Sequence, residues 1–243
     1  MPSPDFLLDL DAVALRVDGR DILQGVTLAT DVRRLAILGR NGSGKTTLAR
    51  VIAGLQRPTS GRVRIAGVDV ARDRRGALGA VGILFQNPDH QIIFPTVGEE
   101  LAFGLAQMGL PKREISERVQ ATLAQFGKAD WHDAAIHRLS QGQRQLVCLM
   151  AILAMAPKMI ILDEPFAGLD IPTAMHLARV LDATEAALVH ITHDPLTVRE
   201  YDHALWIDAG AVRMQGDAAE VGAAYLDAMR KLGARDDLSL LSG

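Results

Sequence analysis

The chain has 243 residues, of which 49% are hydrophobic and 23% are charged, and its formal net charge is −3. This composition is ordinary for a globular protein with a full-sized core. It excludes the basic excess of nucleic-acid-binding proteins, so we expect no nucleic acid among its partners. Cys148 is the single cysteine and cannot form an internal disulfide. We expect it to pack in the core of a protein from a reducing compartment.

The sequence predicts neither a secretion signal nor a membrane span. Residues 1–10 contain Asp5 and Asp9 and lack the basic start of a secretion signal. The longest strongly apolar run, residues 146–156, has about half the length that a membrane-spanning helix needs. If the protein serves a membrane, we expect another chain to provide the path through it.

The hydrophobic pattern predicts strands and helices that alternate along the chain. Strands are expected at residues 6–17, 22–28, 34–38, 62–65, 81–85, 159–162, 187–192 and 204–207. A helix is expected at 45–55 after a glycine-rich loop, and helical patterning dominates residues 96–156. This order is typical of an α/β protein with a mainly parallel sheet, here preceded by antiparallel strands at the N-terminus.

We predict one domain over residues 1–243, built from a core and an insertion. Residues 1–89 and 157–220 would form the α/β core, and residues 90–156 an inserted helical subdomain. Residues 221–243 would form a C-terminal helix and a polar tail, with loose order over residues 235–243.

The segment from Gly39 to Thr46, Gly-Arg-Asn-Gly-Ser-Gly-Lys-Thr, is typical of a P-loop, G-x-x-x-x-G-K-[ST], between a strand and a helix. Its glycines let backbone N–H groups surround a polyphosphate, its lysine reaches the outer phosphates, and its last hydroxyl is a ligand for Mg²⁺. A P-loop alone does not separate kinases, GTPases, helicases and transporters. The expected nucleotide contacts are Gly39, Arg40, Asn41, Gly42, Ser43, Gly44, Lys45, Thr46 and Thr47.

A pair of acidic residues follows the strand predicted at 159–162. Asp163 and Glu164 come directly after this apolar run and before Pro165. Carboxylates at such a strand end lie beside the phosphate loop of an α/β sheet. We expect Asp163 to hold Mg²⁺ through water and Glu164 to polarise an attacking water.

Four further segments occur in the order that one family shows. Leu-Ser-Gln-Gly-Gln at 139–143 precedes the acidic pair, Gly-Leu-Asp at 168–170 follows it, and Gln86 and His193 each follow a predicted strand. Together with the P-loop and the acidic pair, they resemble the signature, D-loop, Q-loop and switch histidine of ABC ATPases. The resemblance covers about residues 6–216.

The resemblance to ABC ATPases implies ATP hydrolysis with Mg²⁺ between two chains packed head to tail, either a homodimer or a pair with a related ATPase. Each ATP would lie between the P-loop of one chain and the signature of the other. The implied signature contacts are Ser140, Gln141, Gly142 and Gln143. The implied catalytic residues are Glu164, as general base, and His193, at the γ-phosphate. The implied metal ligands are Thr46, Gln86 and Asp163.

Two positions depart from the usual ABC pattern. Gln141 stands where the signature usually has its first glycine, so one position of the cage between the two chains carries a side chain. Val17 stands where an aromatic residue usually stacks on the adenine. We therefore expect retained activity with altered closure, weak recognition of the base, and acceptance of GTP.

Residues 85–104, Phe-Gln-Asn-Pro-Asp-His-Gln-Ile-Ile-Phe-Pro-Thr-Val-Gly-Glu-Glu-Leu-Ala-Phe-Gly, resemble the ATPases of energy-coupling-factor (ECF) importers, which take up vitamins and transition-metal ions. This likeness implies a groove for a transmembrane coupling subunit, together with a substrate-binding membrane subunit. Ile92, Ile93 and Phe94 would line that groove or belong to the core. The protein would lie peripherally at the cytoplasmic face of the inner membrane.

The transported solute stays open at this stage. The compact length resembles the ATPases of biotin importers, while cobalt and nickel importers remain possible. The alternative class is a soluble, non-transport ABC ATPase of DNA repair, chromosome structure or translation. Such proteins carry long coiled coils, zinc motifs or a second cassette, and this sequence has none of them.

Overall fold

Residues 6–234 are described by the computed structural model of the chain, and they form ten strands and seven α-helices. The strands are β1 (Leu8–Val17), β2 (Arg20–Thr30), β3 (Arg34–Leu38), β4 (Ser60–Ile65), β5 (Val68–Asp69), β6 (Val81–Leu84), β7 (Met159–Asp163), β8 (Ala187–Thr192), β9 (His203–Asp208) and β10 (Ala211–Asp217). The helices are α1 (Lys45–Ile52), α2 (Arg74–Ala80), α3 (Val97–Gln107), α4 (Lys112–Gln125), α5 (Gln141–Ala154), α6 (Ile171–Asp182) and α7 (Ala218–Gly233). The predicted tail at 235–243 lies outside the described residues.

The predicted α/β class is confirmed, and the predicted elements are present with ends that shift by at most three residues. Helix α1 is shorter than predicted because Gly54, with a φ of 71°, takes the left-handed conformation that ends helices. Strands β5 and β10 and helices α2 and α6 were not predicted from the sequence. Helix α6 was hidden because Ile171 and Met175 are 76% and 60% exposed, which blurs its apolar period.

The tertiary contacts divide the chain into two compact units, the first made of residues up to Asp73 and from Ala187 onward, and the second of Arg74–Ala186. The first unit contains an antiparallel sheet in the order β2-β1-β4-β5. It also contains β3, which lies between β8 and β9 and is parallel to both, while β10 pairs antiparallel with β9.

The C-terminal helix α7 packs against the parallel strands of the first unit. Tyr225 and Val221 on α7 join a buried cluster with Leu38 of β3 and Trp206 of β9. The rings of Trp206 and Tyr225 meet edge to face, with centroids 5.4 Å apart. This apolar contact buries both aromatic rings and fixes α7 on the strands that carry the P-loop.

In the second unit β6 pairs in parallel with β7, and α3, α4 and α5 pack on one another. Cys148 is buried in α5, and burial raises the pKa of its thiol to about 12. A neutral buried thiol of this kind is a packing residue, as the sequence predicts. The predicted helical subdomain, residues 90–156, falls inside this unit, and its boundaries remain a prediction. Among residues 6–234, no helix is long and apolar enough to cross a membrane.

Candidate functional site

The P-loop sequence forms the turn between β3 and α1. Gly42 and Gly44 have φ angles of 77° and 102°, which favour glycine over any residue with a side chain. A Cβ atom on Gly39 would overlap Ser43 Oγ and the carbonyl oxygen of Ile207. The turn therefore depends on its glycines, and it leaves room for a ligand to approach the backbone.

Lys45 lies buried beneath this loop, with 7% of its surface exposed. Its Nζ donates hydrogen bonds to the carbonyl oxygens of Gly39 and Arg40, both at 2.8 Å. Ser43 Oγ is buried without a hydrogen-bond partner in the described part of the chain, and Gly44 supplies no side-chain cap to α1. A partnerless buried hydroxyl beside an uncapped helix N-terminus fits a polyphosphate, which would accept hydrogen bonds from both.

The remaining P-loop residues differ in exposure. Asn41 and Thr46 are exposed, whereas Arg40 and Thr47 are half-buried. Thr46, which the sequence predicts as a metal ligand, is therefore an exposed residue in the first turn of α1.

His193 and the P-loop each follow one of two paired strands, β8 and β3, in the first unit. β3 and β8 run parallel, with Leu38 opposite Thr192. Gly39 directly follows β3 and His193 directly follows β8, so both lie at the same edge of the sheet. Neighbouring strands lie about 4.8 Å apart, which brings the exposed His193 to the side of the phosphate loop.

The second unit repeats this arrangement with Gln86 and the acidic pair. β6 and β7 run parallel, with Leu84 opposite Leu162. Gln86 follows Leu84 by two residues, and Asp163 is the last residue of β7. The structure therefore brings Gln86, Asp163 and Glu164 to one edge of these two strands.

Glu164 has an unusual backbone conformation for its residue type. Its φ is 49°, in the left-handed region, directly after the buried Asp163. A non-glycine residue in this region costs about 1 kcal/mol or more, and such strain is often found at functional sites. Glu164 is half-buried at this position, directly after the end of β7.

The predicted metal ligands have the chemistry that Mg²⁺ prefers. Gln86 offers an amide oxygen and Asp163 a carboxylate in the second unit, Thr46 offers a hydroxyl in the first, and all are hard oxygen donors. Among residues 6–234, no cluster of three or more histidine, cysteine or acidic side chains could bind a metal by itself. This donor chemistry fits an ion that is held mainly by nucleotide phosphates with few protein ligands.

The signature residues form the N-terminus of α5 as a capping box. Ser140 Oγ accepts a hydrogen bond from the Gln143 amide at 3.2 Å, and Gln143 Oε1 accepts one from the Ser140 amide at 2.9 Å. Ser140, Gln141 and Gln143 are all exposed. A Cβ on Gly142 would lie 2.7 Å from Thr173 Cγ2 of α6, so this glycine permits close packing of the two helices.

Gln141, the departure from the usual signature, lies against the D-loop segment of its own chain. A Cβ on Gly168 would come within 3.1 Å of Gln141 Nε2. Two residues later Asp170 caps α6, where its Oδ1 accepts a hydrogen bond from the Thr173 amide at 2.8 Å. The hydrogen bonds from Thr173 hold the pKa of the Asp170 carboxyl below its usual value. The side chain at 141 therefore packs beside the turn that leads into α6.

A groove of about 470 Å³ adjoins the segment that follows Gln86. Its lining residues are Asp89, Ile92, Phe94, Pro95, Ile136, His137 and Arg144. Ile92 and Phe94 thus line the groove, whereas Ile93 is 67% exposed. Phe94 also packs on Phe103 of α3, with ring centroids 5.1 Å apart. It therefore both lines the groove and contributes to side-chain packing in the second unit.

Glu100 shapes this groove and was missed by the sequence analysis. Its side chain is buried, and Oε2 accepts hydrogen bonds from the backbone amides of Ile93 and Phe94, both at 2.9 Å. These bonds hold the groove-lining segment against α3. The sequence shows two consecutive glutamates, Glu99 and Glu100, and only the helical phase of α3 determines which one points inward.

Val17, at the position expected for adenine stacking, is the last residue of β1. It is 39% exposed and pairs with Arg20 across a tight turn. A branched aliphatic side chain here offers a small apolar surface and no aromatic face.

Comparison with known proteins shows the family of the chain. Residues 27–167 match the family model of ABC transporters. The chain is 50% identical over 225 residues to the biotin transport ATP-binding protein BioM of Rhodobacter capsulatus, covering 93% of this chain and 96% of that one. It is 38% identical to the nickel import ATP-binding protein NikO of the same organism, covering 88% of this chain and 90% of that one. The chain therefore belongs to the ABC transporter ATPase family.

A solved structure supports the fold over almost the whole length. CbiO1 of Clostridium perfringens, part of the ABC transporter complex CbiONQ, superposes with a TM-score of 0.75 at 32% identity. The match covers 96% of each chain. As an ABC ATPase, the chain binds and hydrolyses ATP.

Proposed function

We propose that this chain is the ATP-hydrolysing subunit of an ECF-type importer, which powers solute uptake through partner membrane subunits. The observation that carries the proposal is the pairing of functional residues at strand ends. The P-loop and His193 leave one edge of parallel strands, and Gln86, Asp163 and Glu164 leave one edge of another such pair. The similarity to BioM, NikO and CbiO1 supports the transport role.

Catalysis would use the P-loop, Glu164 and His193. The amides of the P-loop and Lys45 bind the phosphates of ATP, and Glu164 accepts a proton from the attacking water. The water oxygen then bonds to the γ-phosphorus as the bond to the β–γ bridging oxygen breaks, and His193 orients the γ-phosphate. Bound Mg²⁺ would supply positive charge that neutralises the phosphates, and its protein ligands would be Thr46, Gln86 and Asp163.

The second half of each ATP site would come from another copy of this chain or from a related ATPase. The exposed N-terminus of α5 supports this proposal. The helix has 14 residues, and its dipole gives the N-terminus a partial positive charge beside the hydroxyl of Ser140. In a head-to-tail dimer that N-terminus would face the γ-phosphate bound by the opposite P-loop. Hydrolysis removes the bridging charge, and the dimer opens.

The groove beside residues 85–95 would receive a helix of the transmembrane coupling subunit. The apolar lining residues Ile92 and Phe94 have no role in catalysis. The groove is also lined by one acidic residue, Asp89, and one positively charged residue, Arg144. Through this contact the chain would lie peripherally at the cytoplasmic face of the inner membrane. Opening of the dimer would move the coupling subunit and, through it, the substrate-binding membrane subunit.

We propose biotin as the favoured solute, because the likeness to BioM is stronger than the likeness to the nickel protein NikO. Nickel and cobalt are the alternatives. The test is to purify the tagged chain with its membrane partners and to measure binding of labelled biotin, nickel and cobalt by the complex. Stoichiometric binding of biotin supports the proposal. A chain that purifies without any membrane protein contradicts the transport role.

A further inference from the structure

The backbone of Phe85 is held by two glutamine side chains of the second unit. Gln91 Oε1 accepts a hydrogen bond from the Phe85 amide at 3.2 Å. Gln145 Nε2 donates a hydrogen bond to the Phe85 carbonyl oxygen at 2.9 Å. Because Phe85 directly precedes Gln86, these bonds determine where the Q-loop begins.

Gln145 lies on α5, the signature helix, two residues after Gln143. Its side chain is 1% exposed, and its Oε1 has no hydrogen-bond partner within residues 6–234. A buried amide with an unsatisfied oxygen costs stability, whereas a methionine of similar volume would fill the space without that cost. Packing alone therefore does not explain an amide here, and the bond from Nε2 to Phe85 does.

A second contact joins the same two segments. Arg144 Nε lies 3.0 Å from Asp89 Oδ1, and a guanidinium N–H of Arg144 donates to the Leu139 carbonyl oxygen at 2.7 Å. Neighbouring residues of α5 thus hold both ends of residues 85–89. The ion pair is weak because Asp89 is 60% exposed. The hydrogen bond from the buried Gln145 side chain is the stronger positional constraint.

We propose that Gln145 is a positioning residue for ATP hydrolysis, which keeps Gln86 in register with the signature helix through the Phe85 carbonyl. The inference rests on the proposed roles of Gln86 and of the signature residues. When α5 moves as a dimer closes on ATP, the bond from Gln145 carries the start of the Q-loop with it. Gln86 and the signature then reach the nucleotide together.

The first test measures steady-state ATP turnover by the full chain with Mg²⁺ and ATP. We expect Gln145→Met to keep the KM for ATP within about twofold and to lower kcat ~10-fold or more, since a displacement of about 1 Å can cost up to ~100-fold. Gln120→Met makes the same exchange at an exposed position of α4 and should change neither constant. A wild-type kcat in Gln145→Met overturns the inference, as does a KM that rises while kcat stays constant.

The second test measures how kcat depends on pH. A merely structural role of residue 145 would not make the kcat of a variant, relative to wild type, depend on pH. In Gln145→Glu the neutral carboxyl has one O–H that can donate to the Phe85 carbonyl, whereas the ionised form has none. We expect the kcat of Gln145→Glu, relative to wild type, to rise as pH falls from 8 to 6. The same ratio for Gln145→Met should stay flat. If both ratios are flat, or if both variants only lower the unfolding temperature, Gln145 is not a positioning residue.

A third measurement does not depend on turnover. Without nucleotide, Gln145→Met should speed hydrogen exchange at the amides of residues 85–91 by ~5–10-fold, the effect of losing one hydrogen bond, and leave residues 146–154 unchanged. Gln86→Ala separates the inference from the role on which it rests. If Gln86→Ala is slow and Gln145→Met is not, only the inference fails. If neither variant is slow, the role of Gln86 fails as well.

Discussion

Ser140 and Gln143 hold each other at the start of α5, each side chain accepting a hydrogen bond from the backbone amide of the other residue. This reciprocal cap gives two residues of the signature a role in the folded monomer. The same serine hydroxyl is proposed to contact the γ-phosphate bound by a second chain. The Ser140 side chain would therefore contribute both to the stability of the chain and to catalysis. A matched pair of variants can separate these two roles.

The cap predicts that Ser140→Ala lowers the free energy of unfolding by about 1 kcal/mol, the usual cost of losing such a side chain. Thr96→Ala is the control, because Thr96 also caps a helix, α3, and lies outside the proposed ATP site. Its Oγ1 accepts a hydrogen bond from the Glu99 backbone N–H at 3.5 Å and donates one to Glu99 Oε2 at 2.6 Å. We expect similar losses in denaturation experiments and a turnover ~10-fold lower in Ser140→Ala alone. Equal turnover in the two variants would show that the serine only caps its helix.

Glu164 combines a strained backbone with the proposed role of general base. Glu164→Gln should bind ATP yet hydrolyse it at least ~100-fold more slowly, and it should accumulate as an ATP-bound dimer. Glu164→Gly should also lose turnover without losing stability, because glycine accepts a φ of 49° freely. Single-turnover assays and size-exclusion chromatography measure these outcomes. Near wild-type hydrolysis by Glu164→Gln would remove this residue from the base role.

Val17 predicts weak discrimination between bases. Without aromatic stacking, worth about 1–3 kcal/mol per base, ATP and GTP should support turnover within about one order of magnitude of each other. Val17→Tyr should tighten the binding of adenine nucleotides in calorimetric titrations. Leu196→Tyr, at an exposed position elsewhere in the first unit, is the control for an added tyrosine. A strong preference of the wild-type chain for ATP would mean that another side chain covers the base.

The groove predicts a separation of uptake from folding. Ile93→Asp and Phe94→Asp should both stop uptake while nucleotide binding persists, because an unpaired charge buried at an interface costs several kcal/mol. Ile93 borders the groove without lining it and is 67% exposed, so its replacement tests whether the docked helix also covers this border. Phe94 lines the groove but also packs on Phe103, so its replacement requires a check that the chain still folds. Leu196→Asp, which is similarly exposed outside the groove, should leave uptake unchanged. Normal uptake with folded Ile93→Asp and Phe94→Asp chains would place the docking surface elsewhere.

The sequence predicted the motifs and most strands because these signals are local. A P-loop needs glycines at fixed spacing, and β7 is a continuous apolar run that ends in Asp163. The contacts of Gln145 and Glu100 were not predictable in this way. The first reaches Phe85, 60 residues earlier in the chain, and the second is determined by the rotation of α3. Both depend on tertiary packing, which no local pattern encodes.

The helices α2 and α6 were not predictable for a related reason. Helix α2 carries Gly76 and Gly79, whose low helix propensity is overridden by packing in the second unit. Helix α6 exposes Ile171, which conceals its amphipathic period. Short helices such as these are therefore harder to predict from the sequence than the motifs of the proposed site.

The central claim is that ATP hydrolysis by this chain powers uptake of a solute across a membrane. The most direct measurement is the uptake of labelled biotin, nickel and cobalt by cells whose own copy has been deleted and replaced. Wild-type chain should restore uptake of one solute, with biotin expected, and Glu164→Gln should restore none although equal amounts of it reach the membrane fraction. Full uptake with Glu164→Gln, or no effect of the wild-type chain on any of the three, would contradict the account.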